Sequence, residues 1–331
     1  GLVLAVLMWL FAGVFASWLT GNPETAKGTA QWLRIAAIAI PFTLITMAGN
    51  GWRRGVQATR QPLAFALAGM LPGASAVPSF VHLWGLQGSA LATVLGMGII
   101  AAFFLRELRR EHTGSWEVRW RVVRRQLVLG RDLIVRSLSF QVAFLSAAAV
   151  ASRIGTAQLA AHQILMQLWN FLSLVLDSLA IAAQALTGAA LGAGSARYAR
   201  TVGTKVTLYS TSFSLGLAVI LALGSGIIPR IFTTSPEVLE VISGPWWVMT
   251  FLVIIGGVVF ALDGVLLGAG DAAFLRTLTL AAVLLGFLPG VWLAFALGTG
   301  LSGVWGGIAA FIFIRMVGVV WRFRSMRWAR V

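Results

Sequence analysis

An all-α polytopic membrane protein with ten transmembrane helices is the fold class this sequence predicts. Three observations point to it. Of 331 residues, 59% are hydrophobic and only 11% charged, where an ordinary soluble domain carries about 25% charge. The apolar residues fall into ten charge-poor runs, each close to the roughly 20 residues that cross a hydrocarbon core. The runs are also too long and continuous for the ten-residue alternation of a barrel strand. Lipid tolerates only helices or closed barrels, because every backbone polar group must be satisfied internally.

In chain order the runs are 2–19, 30–51, 62–84, 86–105, 133–151, 158–191, 206–228, 246–268, 278–297 and 304–320. The first has no basic segment before it and is about as long as a bilayer is thick, so it reads as a span, not a signal peptide. The next three are separated by Arg53, Arg54 and Arg60, and then by Gly85. The fifth to seventh runs lie between Asp132 and Arg230, the eighth ends at Gly268, and the last two follow Arg276 and Gly300. With no cysteine and three histidines, disulfide scaffolds, thiolate sites and multi-histidine metal centres are poorly supported.

A formal charge of +15 would suggest nucleic acid in a soluble protein; here its distribution matters more. Nineteen of the 25 Lys and Arg fall in one set of alternate connections and three in the other. That asymmetry places the rich set, and both ends of this chain, in the cytoplasm. Trp52, Trp84, Trp246, Trp247, Trp321 and Trp328 lie near span ends, as an interfacial belt requires. The expected surroundings are the lipid bilayer, with the chain acting as a monomer.

The two ends of the chain repeat one another. Gly69-Met70-Leu71-Pro72-Gly73 recurs as Gly286-Phe287-Leu288-Pro289-Gly290, and Gly85-Leu86-Gln87-Gly88 as Gly300-Leu301-Ser302-Gly303. Gly51 and Gly55 match Gly264 and Gly268. Matched spans run in the same direction, so the repeat is parallel. Spans one to four then pair with seven to ten, and the simplest parent is a six-plus-six bundle. This predicts an N-terminally truncated piece: a four-helix first half (1–105), a basic linker (106–130) and a six-helix second half (131–331). The linker is either a helix on the anionic inner leaflet, with Trp116, Trp120, Val123 and Leu127 at helical spacing, or a solvated basic loop.

Polar groups at membrane depth are the candidate site. Asp177 and Asp263 are the only deep acids, and an ionised carboxylate there costs roughly 2.5–3.5 kcal/mol on insertion scales. Gln163, Gln167, Asn170, Asp177 and Gln184 are spaced by 4, 3, 7 and 7 residues, so they share one helix face. That stripe lines either a hydrated cavity or a hydrogen-bonded helix interface. Asn50 is the repeat counterpart of Asp263 and is grouped with the cavity-lining residues. Asp263 is expected to bind a coupling cation, to pair with Arg136 or Arg315, or to alternate between the two. Arg315 is expected to snorkel to the interface. His162, near the outer end of its span, reads as a hydrogen-bonded cap or a proton relay. Pro72 and Pro289 remove one backbone hydrogen bond each at mid-span and are candidate hinges.

The stretches Ala160-Ala161-His162-Gln163-Ile164, Leu176-Asp177-Ser178-Leu179-Ala180 and Ala185-Leu186-Thr187-Gly188 resemble the DinF branch of the multidrug and toxic compound extrusion (MATE) transporters. So does Leu262-Asp263-Gly264-Val265-Leu266-Leu267-Gly268-Ala269-Gly270-Asp271. The resemblance covers essentially the whole chain, as family helices three to twelve. It implies an antiporter of the inner or plasma membrane, exchanging H⁺ or Na⁺ for an amphiphilic, often cationic, organic compound. Asp263 would match the family's tenth-helix acid and Asp177 the branch's eighth-helix acid; the family's first-helix Asp has no counterpart here. The implied mechanism is alternating access, with no cofactor besides the coupling ion. Its rivals are a lipid-linked precursor flippase or another six-plus-six secondary carrier of the same superfamily, and an intramembrane enzyme. A flippase for lipid-linked precursors needs a strongly cationic cavity. An intramembrane enzyme needs an acidic or histidine cluster at one membrane face, and the sequence shows none.

Overall fold

The computed structural model describes residues 1–19, 23–58, 60–114 and 120–329. Among them the chain is helical: α1 (Leu2–Leu19), α2 (Pro23–Gly55), α3 (Arg60–Trp84), α4 (Leu86–Glu111), α5 (Trp120–Ile154), α6 (Thr156–Gly192), α7 (Ala196–Leu223), a short α8 (Ile228–Phe232), α9 (Pro236–Gly268), α10 (Ala272–Ala282), a π-helical turn (Val283–Phe287), α11 (Leu288–Ala296) and α12 (Gly300–Arg324). Each expected run falls on helix, except that 206–228 leaves α7 at Leu223 and passes through a turn at 224–227, and 278–297 runs one residue past Ala296. Among the described residues nine helical segments have the length and composition to cross a membrane, with 272–296 as one span, and Leu2–Trp18 is an apolar helix just below that length.

The helices extend well past the runs. Charge-poor windows find the part of a helix that suits hydrocarbon, but charges do not stop a helix; cap geometry does. Gly194 (φ 76), Gly270 (φ 76) and Gly298 (φ 65) follow α6, α9 and α11 in the left-handed conformation. At each, the glycine N–H returns to the carbonyl three residues back and the next N–H to the one five back, as in Gly270→Leu267 and Asp271→Leu266. These are Schellman caps. The same pattern ends α2, but with Gln57 at φ 61.

The chain divides into two compact units, Gly1–Glu117 and Val118–Val331. Much of the segment expected as a separate linker is helix. Its first residues, to Glu111, complete α4, and Trp120 onwards begins α5 without a break before the fifth run. Trp116, Glu117 and Arg119 lie outside the described residues, as does Arg330.

In the first unit α3 meets α4 through glycine. A Cβ added to Gly73 would lie 3.1 Å from Gly96 Cα. Arg53, expected in a loop, is 2% exposed and ion-paired at 2.9 Å with Glu107 and 2.8 Å with Glu111, tying the end of α2 to α4.

The second unit is built around α9. This helix is apolar on all sides, which suits a buried element: 67% of its spanning window is buried, against 22% for α5 and for α7. Gly264 and Gly268 lie directly on the backbone of Ala180 and Gln184 of α6, and Gly257 on Ser214 of α7. Small residues at such contacts let helices approach closely. Gly290, the repeat counterpart of Gly73, also packs on a glycine, where an added Cβ would lie 2.7 Å from Gly307 Cα; in the register of the repeat Gly307 matches Ala92.

The two repeat-matched prolines differ. α3 runs α-helical through Pro72 and Pro78. Pro289 instead follows the π turn, in which Leu288 N–H donates to Val283 O. Proline clashes with the carbonyl four residues earlier, and a widened turn relieves that clash. The tryptophan belt is partial. Trp84, Trp247 and Trp321 are exposed, but Trp246 and Trp328 are buried, with Trp246 Nε1 donating to Leu221 O. His162 is 1% exposed, its Nδ1 has no hydrogen-bond partner among the described residues, and its ring lies 6.1 Å from that of Trp305.

Candidate functional site

Four helices of the second unit, α5, α6, α9 and α12, line an open cavity of about 520 Å³. The glycine contacts described above set α6 close against α9. The α6 polar stripe therefore runs beside Asp263, which α9 carries five residues before its end. All five stripe residues, Gln163, Gln167, Asn170, Asp177 and Gln184, lie on the exposed side of α6. Asn170, Asp177 and Gln184 line the cavity together with Asp263, Arg136 and Arg315. Gln163 and Gln167, on the outer turns of the stripe, are not among its lining residues.

Asp263 is 6% exposed and holds both candidate charge partners on one oxygen. Its Oδ2 accepts from Arg136 Nη2 at 2.5 Å and also from Arg315 Nη2. Both guanidinium groups lie against the Phe140 ring, at 5.7 and 5.0 Å from its centre. Arg315 is 3% exposed, so it does not snorkel to the interface: Asp263 and Phe140 hold it inside the unit. One carboxylate thus joins α9 to both α5 and α12. Asp263 Oδ1 is buried and has no hydrogen-bond partner among the described residues.

The two deep acids have different surroundings. Asp263 faces guanidinium donors, which cannot ligate a cation. Asp177 lies on an open face among amide side chains. With two guanidiniums and two carboxylates, the formal charges in the cavity balance. The sequence missed the aromatic wall of Phe140, Trp169 and Phe260; the spacing Arg136–Phe140, one helical turn, was its only sign. Asn50 is half-buried on α2 in the first unit and takes no part in this cavity. Pro72 is also in the first unit, while Pro289 follows the π turn outside the lining.

The family model described as MatE matches residues 1–77 and 133–292. The chain is 31% identical over 297 residues to Protein DETOXIFICATION 44, chloroplastic, of Arabidopsis thaliana, covering 88% of this chain and 56% of that protein. It is 25% identical to DNA damage-inducible protein F of Escherichia coli, covering 93% and 69%. A probable multidrug resistance protein NorM of Bradyrhizobium diazoefficiens is 28% identical, covering 92% and 69%. The chain spans 53–58% of the length of the three Arabidopsis relatives DETOXIFICATION 44, 45 and 42. Among solved structures, a MATE protein in complex with MaL6 has a TM-score of 0.86 at 18% identity, covering 99% of this chain and 77% of that one. A MOP superfamily transporter from Pyrococcus furiosus gives 0.86 at 18% identity, covering 98% and 76%.

Proposed function

The chain belongs to the MatE family, and we propose on that basis that it serves a cation-coupled antiporter. The antiporter exports amphiphilic organic compounds, cationic ones included, across the cell membrane by alternating access, with both ends of this chain cytoplasmic and the protein working as a monomer. It is not an enzyme and uses no cofactor besides H⁺ or Na⁺.

The observation that carries this reading is the cavity of the second unit, where a carboxylate bound to two arginines shares the walls with an exposed carboxylate. A site of balanced formal charge can change its net charge by taking up one cation. Asp177, among Asn170 and Gln184, is the accessible acceptor. Asp263 is the acceptor with a mechanical consequence. A proton on its carboxyl group removes the charge that holds Arg136 and Arg315 together, and the two guanidiniums then repel one another. The tie between α5, α9 and α12 loosens. Substrate and ion need not touch; they need only favour different arrangements of these helices. The Phe140, Trp169 and Phe260 walls supply an apolar and π-rich surface for an amphiphilic compound.

The test is flux in proteoliposomes containing the full-length protein, with and without a pH or sodium gradient. Asp177→Asn is expected to reduce gradient-driven efflux while leaving the membrane level unchanged. Undiminished efflux removes Asp177 from the mechanism. A flippase for lipid-linked precursors is the second reading. The pair Arg136 and Arg315 favours it by offering two donors to a pyrophosphate; the two carboxylates beside them weigh against it. The same vesicles separate the readings, because a flippase moves a labelled lipid precursor without either gradient.

A further inference from the structure

A second cavity, of about 530 Å³, lies at the end of the second unit that the Lys and Arg excess assigns to the cytoplasm, between the first turns of α5 and the turn from α9 to α10. We infer that it is a binding site for an anionic phospholipid of the inner leaflet, with Arg121 and Arg125 holding the headgroup phosphate.

Arg121, Arg125, Val128, Leu129 and Asp132 follow one another at helical spacing and line one wall. Gly270 and Ala273, both small, form the opposite one. The acid in this cleft does not repel an anion. Asp132 is 4% exposed and is held by Arg131 at 2.9 Å and Arg276 at 2.5 Å. Among the described residues no carboxylate pairs with Arg121 or Arg125. Among the described residues the cleft therefore presents two guanidiniums without a carboxylate partner over a neutralised floor.

The apolar surroundings distinguish a lipid from a free phosphate. Trp120 is 76% exposed, Val122 53%, Leu127 68% and Val128 46%. Soluble surfaces rarely leave such a cluster open beside arginines, whereas a basic pocket with apolar flanks at the inner leaflet is the pattern that anionic headgroups and their acyl chains complete. The inference is independent of the transport reading, because it concerns neither Asp177 nor Asp263.

The experiment uses the full chain in detergent, titrated with dioleoyl phosphatidylglycerol or phosphatidylcholine and read by native mass spectrometry. Phosphatidylglycerol is expected to be retained in preference to phosphatidylcholine. The pair Arg121→Gln and Arg125→Gln is expected to weaken retention about 30-fold, at the usual contribution of one basic residue near an anionic surface. Arg121→Lys with Arg125→Lys keeps the charge and is expected to keep most of the retention, which separates loss of charge from misfolding. Arg200→Gln with Lys205→Gln, exposed on α7, removes the same charge elsewhere and is expected to change little. Equal loss from the α7 pair overturns the site, as does full retention by the Arg121/Arg125 Gln pair. Displacement of the lipid by millimolar inorganic phosphate would assign the cleft to a free anion and overturn the lipid.

Discussion

The two units contain the same kind of lock with opposite polarity. In the first, a single buried cation, Arg53 of α2, lies between two carboxylates of α4. In the second, one buried carboxylate, Asp263 of α9, lies between two cations, one from α5 and one from α12. By the internal repeat α2 corresponds to α9 and α4 to α12, so a repeat can keep which helices are pinned while exchanging the sign of the pin. Depth differs too. Arg53 is two residues from the end of its helix and Glu111 is 45% exposed, so water reaches that cluster. Asp263 lies five residues inside, and its two partners are 16% and 3% exposed. A lock near water is a fastening. A lock at depth, facing a cavity, is the one to which the proposed function assigns proton uptake.

Substitutions can break or sharpen this contrast. The largest effect is expected from Asp263→Ala, which leaves two guanidiniums buried without their partner and should cost about 3–5 kcal/mol in denaturant or thermal unfolding of the purified protein. Arg53→Ala leaves carboxylates nearer to water and should cost less by more than about 1 kcal/mol; equal losses would remove the distinction of depth. Arg315→Met is expected to fall between them or below, because Arg136 still satisfies Asp263 and the methionine fills much of the space. Next come glycines at two helix contacts, α11 on α12 and α3 on α4. Gly307→Ala would set a Cβ 2.7 Å from Val291 N, and Gly96→Ala one 3.0 Å from Gly69 O. The first should lose about 1–3 kcal/mol and the second less. The smallest effect is a gain: Gln57→Gly, at φ 61, should stabilise by about 0.5–1 kcal/mol, with no change in flux.

The sequence showed the helices better than their ends, and the acids better than their partners. Ten apolar runs were visible because hydrocarbon tolerates few charges. The segment before Leu133 stayed undecided between an interfacial helix and a basic loop, because Arg121, Arg124, Arg125 and Arg131 look like a loop to a hydropathy reading; α5 passes through all of them. Asp263 stood out by depth alone, and Arg136 and Arg315 by their place in matching halves of spans. That both reach one oxygen of Asp263 depends on α12 packing against α9 and on Arg136 reaching across the cavity from α5, which no spacing in the chain encodes. Arg53 was read as a topogenic loop charge for the same reason: its partners lie 54 and 58 residues away.

The length of α5 has its own consequence. Its 35 residues make a rod of roughly 52 Å, well beyond a hydrocarbon core of about 30 Å. The clasp on Arg136 grips this rod sixteen residues from its start, so about 24 Å of it projects from that grip toward its first turn. Such a shaft acts as a lever. A tilt of a few degrees at the clasp becomes a sweep of one or two ångströms at the far tip, where the arginines are.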